Sequence, residues 1–213
     1  MLIPKLHYIS QGISPKDHLE NIQNACQSGA ELIQLNFKSI SDKKALKIAT
    51  EARKITHHFQ TRLILNNQPK IAKEIKADGV YLGDNNHTVT EVRKHLHSWQ
   101  LIGASANTLQ ECKILINKHV DYIGLGEFKQ TKTDNETNSA LNKEAYQLIV
   151  EELDTKTPII AYGDITKTNI ADLLESGVSG IAMSNEITKN FNLIRTLNRL
   201  LKAGNSEEQK YNF

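Results

Sequence analysis

The chain has 213 residues, enough for one sizeable core and close to the lower size of an eight-fold βα barrel. Apolar residues make up 39% and charged residues 23%, and 26 Lys+Arg against 24 Asp+Glu leave a formal charge of +2. That balance argues against a nucleic-acid or membrane partner, and no apolar run approaches the roughly 20 residues of a membrane span.

Taken in chain order, short apolar runs alternate with helical stripes. Strands are predicted at 5–10, 32–38, 62–67, 79–83, 101–106, 122–128, 158–163 and 180–184. Most are continuous apolar stretches rather than strict alternations, as suits strands buried on both faces. Helices are predicted at 15–28, 41–60, 68–77, 88–98, 108–119, 142–153, 167–176 and 187–203. In the second of these, Ala45, Ile48, Ala49, Ala52 and Ile55 form one stripe. Gly29, Gly177 and Gly204 follow helices where a left-handed cap is wanted. Strict alternation with right-handed crossovers gives an α/β fold, a single-domain TIM (β/α)8 barrel over residues 1–204, although an open doubly wound sheet also alternates. The polar segment 129–141 is long for a βα loop and is expected to act as an active-site flap, and the tail 205–213 to fray.

The start MLIPKLHYIS lacks a signal peptide's basic head and long apolar core. Cys26 and Cys112 sit in helical stripes without CxxC spacing, so both are expected to be buried and reduced. Both features suit a cytoplasmic protein.

At six places a strand runs into Gly, Asn or Ser before the next helix, which is how a parallel barrel presents its site. Three of these junctions have phosphate-binding chemistry. Thr131-Lys132-Thr133 offers two hydroxyls and a cation, Gly163 allows backbone amides close approach, and Ser184-Asn185 opens the last helix. Each alone has a plainer reading: a solvated loop, a tight turn, an N-cap. On neighbouring junctions they favour a phosphate site. Gln34, Asn36 and Lys38 alternate along the second strand and share one face, which places them inside the barrel mouth unless that face is an exposed edge.

These residues resemble the thiamine phosphate synthase and thiazole tautomerase superfamily from about Leu6 to Leu201. The most specific stretches are ADGVYLG (77–83), DYIGLGEFKQTKT (121–133) and GVSGIAMSNEI (177–187). The family's Q-x-R-x-K reads Gln34, Asn36, Lys38, and its Asn-Asp pair reads Asn66-Asn67. Its HLGQxD reads Tyr81 to Asn86, its G-x-S-x-H runs from Gly103 through Ser105 to Asn107, and its T-x-T is intact at Thr131 and Thr133. The resemblance implies small phosphorylated heterocycles as partners, with Lys38 and Ser105 as catalytic groups. Gln34, Asn36, Lys38, Asn66, Asn107 and the Thr131–Thr133 run would hold a hydroxymethylpyrimidine diphosphate; Gly163, Ser184 and Asn185 would hold a thiazole phosphate. It also implies Mg²⁺ between two carboxylates, at positions that here are Asn67 and Asn86. An amide oxygen can ligate Mg²⁺ but brings no charge.

The implied reaction is pyrophosphate loss from the pyrimidine followed by attack of the thiazole nitrogen. Two further readings stay open: a non-catalytic paralogue that binds a phosphorylated heterocycle, and a thiazole tautomerase. The latter needs a proton-transfer group where Asn107 stands, and an amide cannot shuttle protons near neutral pH. Asp164 replaces a glycine of the thiazole-phosphate turn and is expected to cap the following helix. The apolar stripe of the last helix (Phe191, Ile194, Leu197, Leu200, Leu201) is expected to pack on the barrel, which leaves a homodimer open.

Overall fold

A computed structural model describes residues 2–37, 40–83, 89–129 and 140–208. Its first half runs β1 (Leu6–Ile9), α1 (Pro15–Gln27), β2 (Leu32–Leu35), α2 (Asp42–His58), β3 (Arg62–Asn66), α3 (Pro69–Glu74), β4 (Gly79–Leu82) and α4 (Val89–His95). Its second half continues with β5 (Leu101–Ala106), α5 (Leu109–Asn117), β6 (Tyr122–Phe128), β7 (Ala140–Leu141) and α6 (Lys143–Leu153). It ends with β8 (Ile159–Gly163), α7 (Ile170–Glu175), β9 (Gly180–Met183), α8 (Asn185–Lys189) and α9 (Leu193–Glu208). The sheet order β5-β4-β3-β2-β1-β9-β8-β6 closes through a β5–β6 pairing, and every pair is parallel. The chain is therefore an eight-stranded (β/α)8 barrel, with β7 added to the last two residues of β6. Closure removes both sheet edges.

The pleat divides the core in two. Outward residues such as Ile33, Leu35, Leu63 and Leu65 pack under the helices in the larger cluster, while Leu32, Ile64, Tyr81, Leu101, Tyr122 and Ile160 fill the barrel interior. Inside, tyrosines are fitted against glycines. A Cβ on Gly103 would lie 2.1 Å from the Tyr122 ring, and one on Gly124 would lie 2.1 Å from the Tyr81 hydroxyl. Small residues on β5 and β6 thus make room for rings on β4 and β6.

The face where the strands start is stapled by a repeated device. Asp78 Oδ2 accepts the Leu63 N–H at 2.8 Å and Arg53 of α2 at 2.6 Å. Asp121 Oδ2 does the same for the Ile102 N–H at 2.8 Å and Arg93 of α4 at 2.6 Å. Ser179 Oγ accepts the Ile159 N–H at 3.1 Å. In each case a polar residue just before one strand satisfies a donor at the start of its neighbour.

Three sequence expectations are corrected by tertiary contacts. The last helix, predicted as 187–203, is two: Asn190 is extended (φ −154°, ψ 92°) and ends α8, and α9 then runs past Gly204 to Glu208. Ile194, Leu197 and Leu201 pack against the barrel as expected, but Leu200 faces outward. Asp164 does not cap α7, which starts at Ile170 after Asn169. The Asn169 side chain instead closes the loop, accepting the Thr166 N–H at 3.0 Å and donating to the Asp164 carbonyl at 3.3 Å. Part of the flap at 129–141 and the end of the tail lie outside the described residues, although Ala140–Leu141 is strand rather than loop.

Candidate functional site

The inward faces of β1, β2, β3, β4, β6, β8 and β9 enclose a cavity of about 170 Å³ inside the barrel. Gln34, Asn36 and Asn66 line it, so the period-two reading of the second strand holds for the two residues that are described. Gln34 is buried, with 3% of its surface exposed, while Leu35 and Phe37 pack outward under the helices. The cavity opens toward a larger groove of about 680 Å³, bounded by the loop after β1 and by Phe37, Ser184 and Thr188. Ile9 and Asn36 belong to both walls.

Sequence reasoning missed the aromatic floor of this cavity. His7 is fully buried; its ring meets Tyr122 edge-on at 5.1 Å, and Tyr122 stacks on Tyr81 at 6.0 Å. The Tyr81 hydroxyl and Ser105 Oγ are 2.9 Å apart, so Ser105 joins this row. The parity argument applied to Gln34 would have found His7 as well, since Leu6 and Tyr8 on either side of it pack outward. Burial pushes the His7 imidazole down to about 4, and a hydrogen bond to the Pro4 carbonyl at 3.0 Å only partly offsets this. Burial likewise raises the Tyr122 phenol well above its ordinary value. At neutral pH the floor is therefore uncharged.

The other expected site residues are spread around the mouth. Asn107 leaves β5, and its backbone N–H donates to Glu111 Oε2 at 2.6 Å. Gly163 has φ +129°, and a Cβ there would lie 2.4 Å from the Phe128 nitrogen. Only glycine fits, for a structural reason. The amides that follow Gly163 are already engaged, Asp164 N–H with the Phe128 carbonyl at 3.0 Å and Ile165 N–H with the Gly163 carbonyl at 2.8 Å. Ser184 precedes α8 without capping it; its hydroxyl donates to the Ile9 carbonyl at 2.7 Å, while Asn185 is exposed. Lys38, Asn86, Thr131, Lys132 and Thr133 lie outside the described residues.

Asn67 adopts φ +51°, a left-handed turn that asparagine tolerates. Its backbone N–H donates to the Tyr81 carbonyl at 2.9 Å, and its side-chain Oδ1 accepts the Gly83 N–H at 3.0 Å. The oxygen that would face a cation thus ties the end of β3 to the end of β4. Among the described residues no three His, Cys, Asp or Glu side chains cluster. Of the two implied ligand positions only Asn67 is described, and its neutral, already engaged oxygen does not by itself fit Mg²⁺, which normally takes at least one carboxylate beside phosphate oxygens.

A closed parallel barrel with a polar cavity opening at the strand ends is of the class that takes small ligands at that face. Within that class, a family model for thiamine monophosphate synthase matches residues 6–187. A thiamine-phosphate synthase of Flavobacterium psychrophilum is 36% identical over 203 residues, covering 92% of this chain and 98% of that protein. Its counterpart in Flavobacterium johnsoniae is 34% identical over 205 residues, covering 93% and 97%. The thiamine phosphate pyrophosphorylase of Pyrococcus furiosus has a TM-score of 0.78 at 26% identity, over 92% of this chain and 96% of that one. The chain belongs to the thiamine monophosphate synthase family, and its role lies in thiamine biosynthesis. Among the described residues no helix is long and apolar enough to cross a membrane.

Proposed function

We propose that this chain joins hydroxymethylpyrimidine diphosphate to thiazole phosphate, releasing pyrophosphate. The observation that carries the reading is the neutral cavity, floored by His7 and Tyr122 and walled by Gln34 and Asn66, in a chain of this family. Its 170 Å³ corresponds to about six waters of liquid volume, room for one small ring. In the reaction the bond from the pyrimidine's methylene carbon to the diphosphate oxygen breaks, and both electrons leave with pyrophosphate. The thiazole nitrogen lone pair then forms the new C–N bond. Positive charge develops on the pyrimidine meanwhile, and a lining of amides, phenols and an uncharged imidazole meets it without like-charge repulsion. The tyrosine rings add a quadrupole that favours a cation.

Under this reading Gln34, Asn36 and Asn66 orient the pyrimidine, and Ser105 and Lys38 act on the leaving diphosphate with Thr131, Lys132, Thr133 and Asn107. Gly163, Ser184 and Asn185 receive the thiazole phosphate in the groove beside the cavity. Because the described donors do not suit Mg²⁺, no step is assigned to that ion. Buried Cys26 and Cys112, both free thiols, support a cytoplasmic setting.

One observation favours a second reading, a carrier that binds without turnover: the Asn67 oxygen is uncharged and already accepts the Gly83 N–H. Pyrophosphate release from the two substrates across a range of Mg²⁺ concentrations tests the synthase reading, with an active family member as control. No release, combined with calorimetric binding of thiazole phosphate, would leave the carrier. Converting Asn67→Asp together with Asn86→Asp is expected to raise Mg²⁺-dependent turnover, by about a hundredfold if the two charges act as a fixed electrostatic stabiliser. An unchanged rate would mean that the amides do not limit the reaction.

A further inference from the structure

On β6 the pleat turns Tyr122 and Gly124 into the barrel and Ile123 and Leu125 outward under the helices. Strict alternation would then aim Glu127 outward as well. The bulge at Gly126 (φ +29°) inserts one residue, and the register of β6 on β8 shifts between Leu125 and Glu127. Glu127 thereby lies opposite Tyr162, which lines the cavity, while Phe128 turns out into the core. The bulge is held from two sides. The buried Tyr146 hydroxyl is shared between the Leu125 and Gly126 carbonyls at 2.5 and 2.9 Å, and β7 pairs Ala140 with Glu127. Glu127 is exposed in a strand whose six other residues are buried, and it stands at the open end of the barrel, next to the Phe128–Gly163 pair. Among the described residues no hydrogen bond or ion pair engages its carboxylate.

A glutamate at a strand end has a plain reading as solvated surface. Here, however, a bulge reverses the strand's parity and brings the carboxylate to the inner face, which is how bulges re-aim side chains at barrel rims. We infer that Glu127 is a specificity-determining residue, one that makes the mouth favour a thiazolium cation over a neutral thiazole of the same shape. When the thiazole nitrogen forms its new C–N bond, its lone pair becomes the bonding pair and the ring takes a positive charge. The cavity below offers dipoles but no counter-charge; Glu127 supplies one above it, on the side of the mouth that carries Gly163. Because Glu127 is exposed, water screens it, and its pull is that of a contact pair in high dielectric. This role deepens the synthase reading and rests on its placing of the thiazole phosphate beside Gly163.

Calorimetry with two probes tests it: thiazole phosphate and the same compound methylated on the ring nitrogen, a permanent thiazolium. The unmodified protein is expected to bind the thiazolium about fivefold more tightly, the attraction of two unit charges in contact in water. Glu127→Gln keeps the shape of the side chain and removes its charge, and is expected to bring the two affinities together. Circular dichroism establishes that the variant is folded. Raising the salt from about 0.01 to about 1 M, which shortens the screening length about tenfold, should shrink the parent's preference and leave the variant's ratio unchanged. If Glu127→Gln keeps the parent's preference, or the parent has none, the inference fails while the synthase reading stands. A parent that binds neither probe overturns the inference together with the placing of the thiazole beside Gly163.

Discussion

At the scale of single residues, His7 links stability to pH. Its imidazole is held neutral down to about 4, whereas in the unfolded chain it takes a proton near 6.5. Between those values the unfolded chain binds more protons, so stability falls as pH falls. The contribution is complete above pH 6.5 and lost by about pH 4, and it amounts to about 3 kcal/mol. Urea midpoints for the parent and for His7→Phe between pH of about 7 and about 4.5 should diverge, the parent losing more stability on the way down. Parallel curves would mean that His7 is protonated without penalty. Gly103 makes a packing prediction. Gly103→Ala places a methyl 2.1 Å from a ring that is fully buried and cannot swing away. A loss of about 1–3 kcal/mol is expected, largely relieved in the double variant with Tyr122→Leu. Additive losses in urea denaturation would mean that the two do not compete for the same space.

At the scale of elements, the chain separates the two ends of its barrel. Asp78, Asp121 and Ser179 staple the end where strands begin; the amides and hydroxyls of the cavity gather at the other end. Asp121→Ala would leave the Ile102 N–H without its acceptor and Arg93 without its carboxylate, and is expected to cost about 1–3 kcal/mol of stability. Because the staple lies at the end remote from the ligand, substrate affinity should stay unchanged where the variant is folded. A shifted calorimetric affinity with an unshifted urea midpoint would reverse that assignment. The staples were hidden within ADGVYLG and DYIGLG, stretches whose sequence looks like family signature but whose aspartates do structural work. Also hidden was the bulge at Gly126 (φ +29°), where the register of β6 on β8 shifts and the Tyr146 hydroxyl of α6 binds the Leu125 and Gly126 carbonyls at 2.5 and 2.9 Å. No local pattern announces a bulge, because it is set by the neighbouring strand and by a side chain twenty residues on.

At the scale of the molecule, the barrel was legible because, the short β7 aside, each strand pairs with the next one in sequence, so alternation alone nearly fixes the topology. The break at Asn190 was not, since the apolar stripe from Ile187 to Leu201 runs through it without interruption and only packing against the barrel divides it. Gln34, Asn36 and Asn66 could be read from parity and motif. His7 and Tyr122 could not be read as a pair, because their ring contact crosses the barrel interior. The proposed function requires an uncharged cavity to support a substitution at the methylene carbon that the pyrimidine carries. Mass-spectrometric analysis of the purified chain incubated with hydroxymethylpyrimidine diphosphate and thiazole phosphate tests this most directly. The account predicts thiamine phosphate and pyrophosphate in equal amounts; both substrates recovered intact, under conditions where a known synthase converts them, would contradict it.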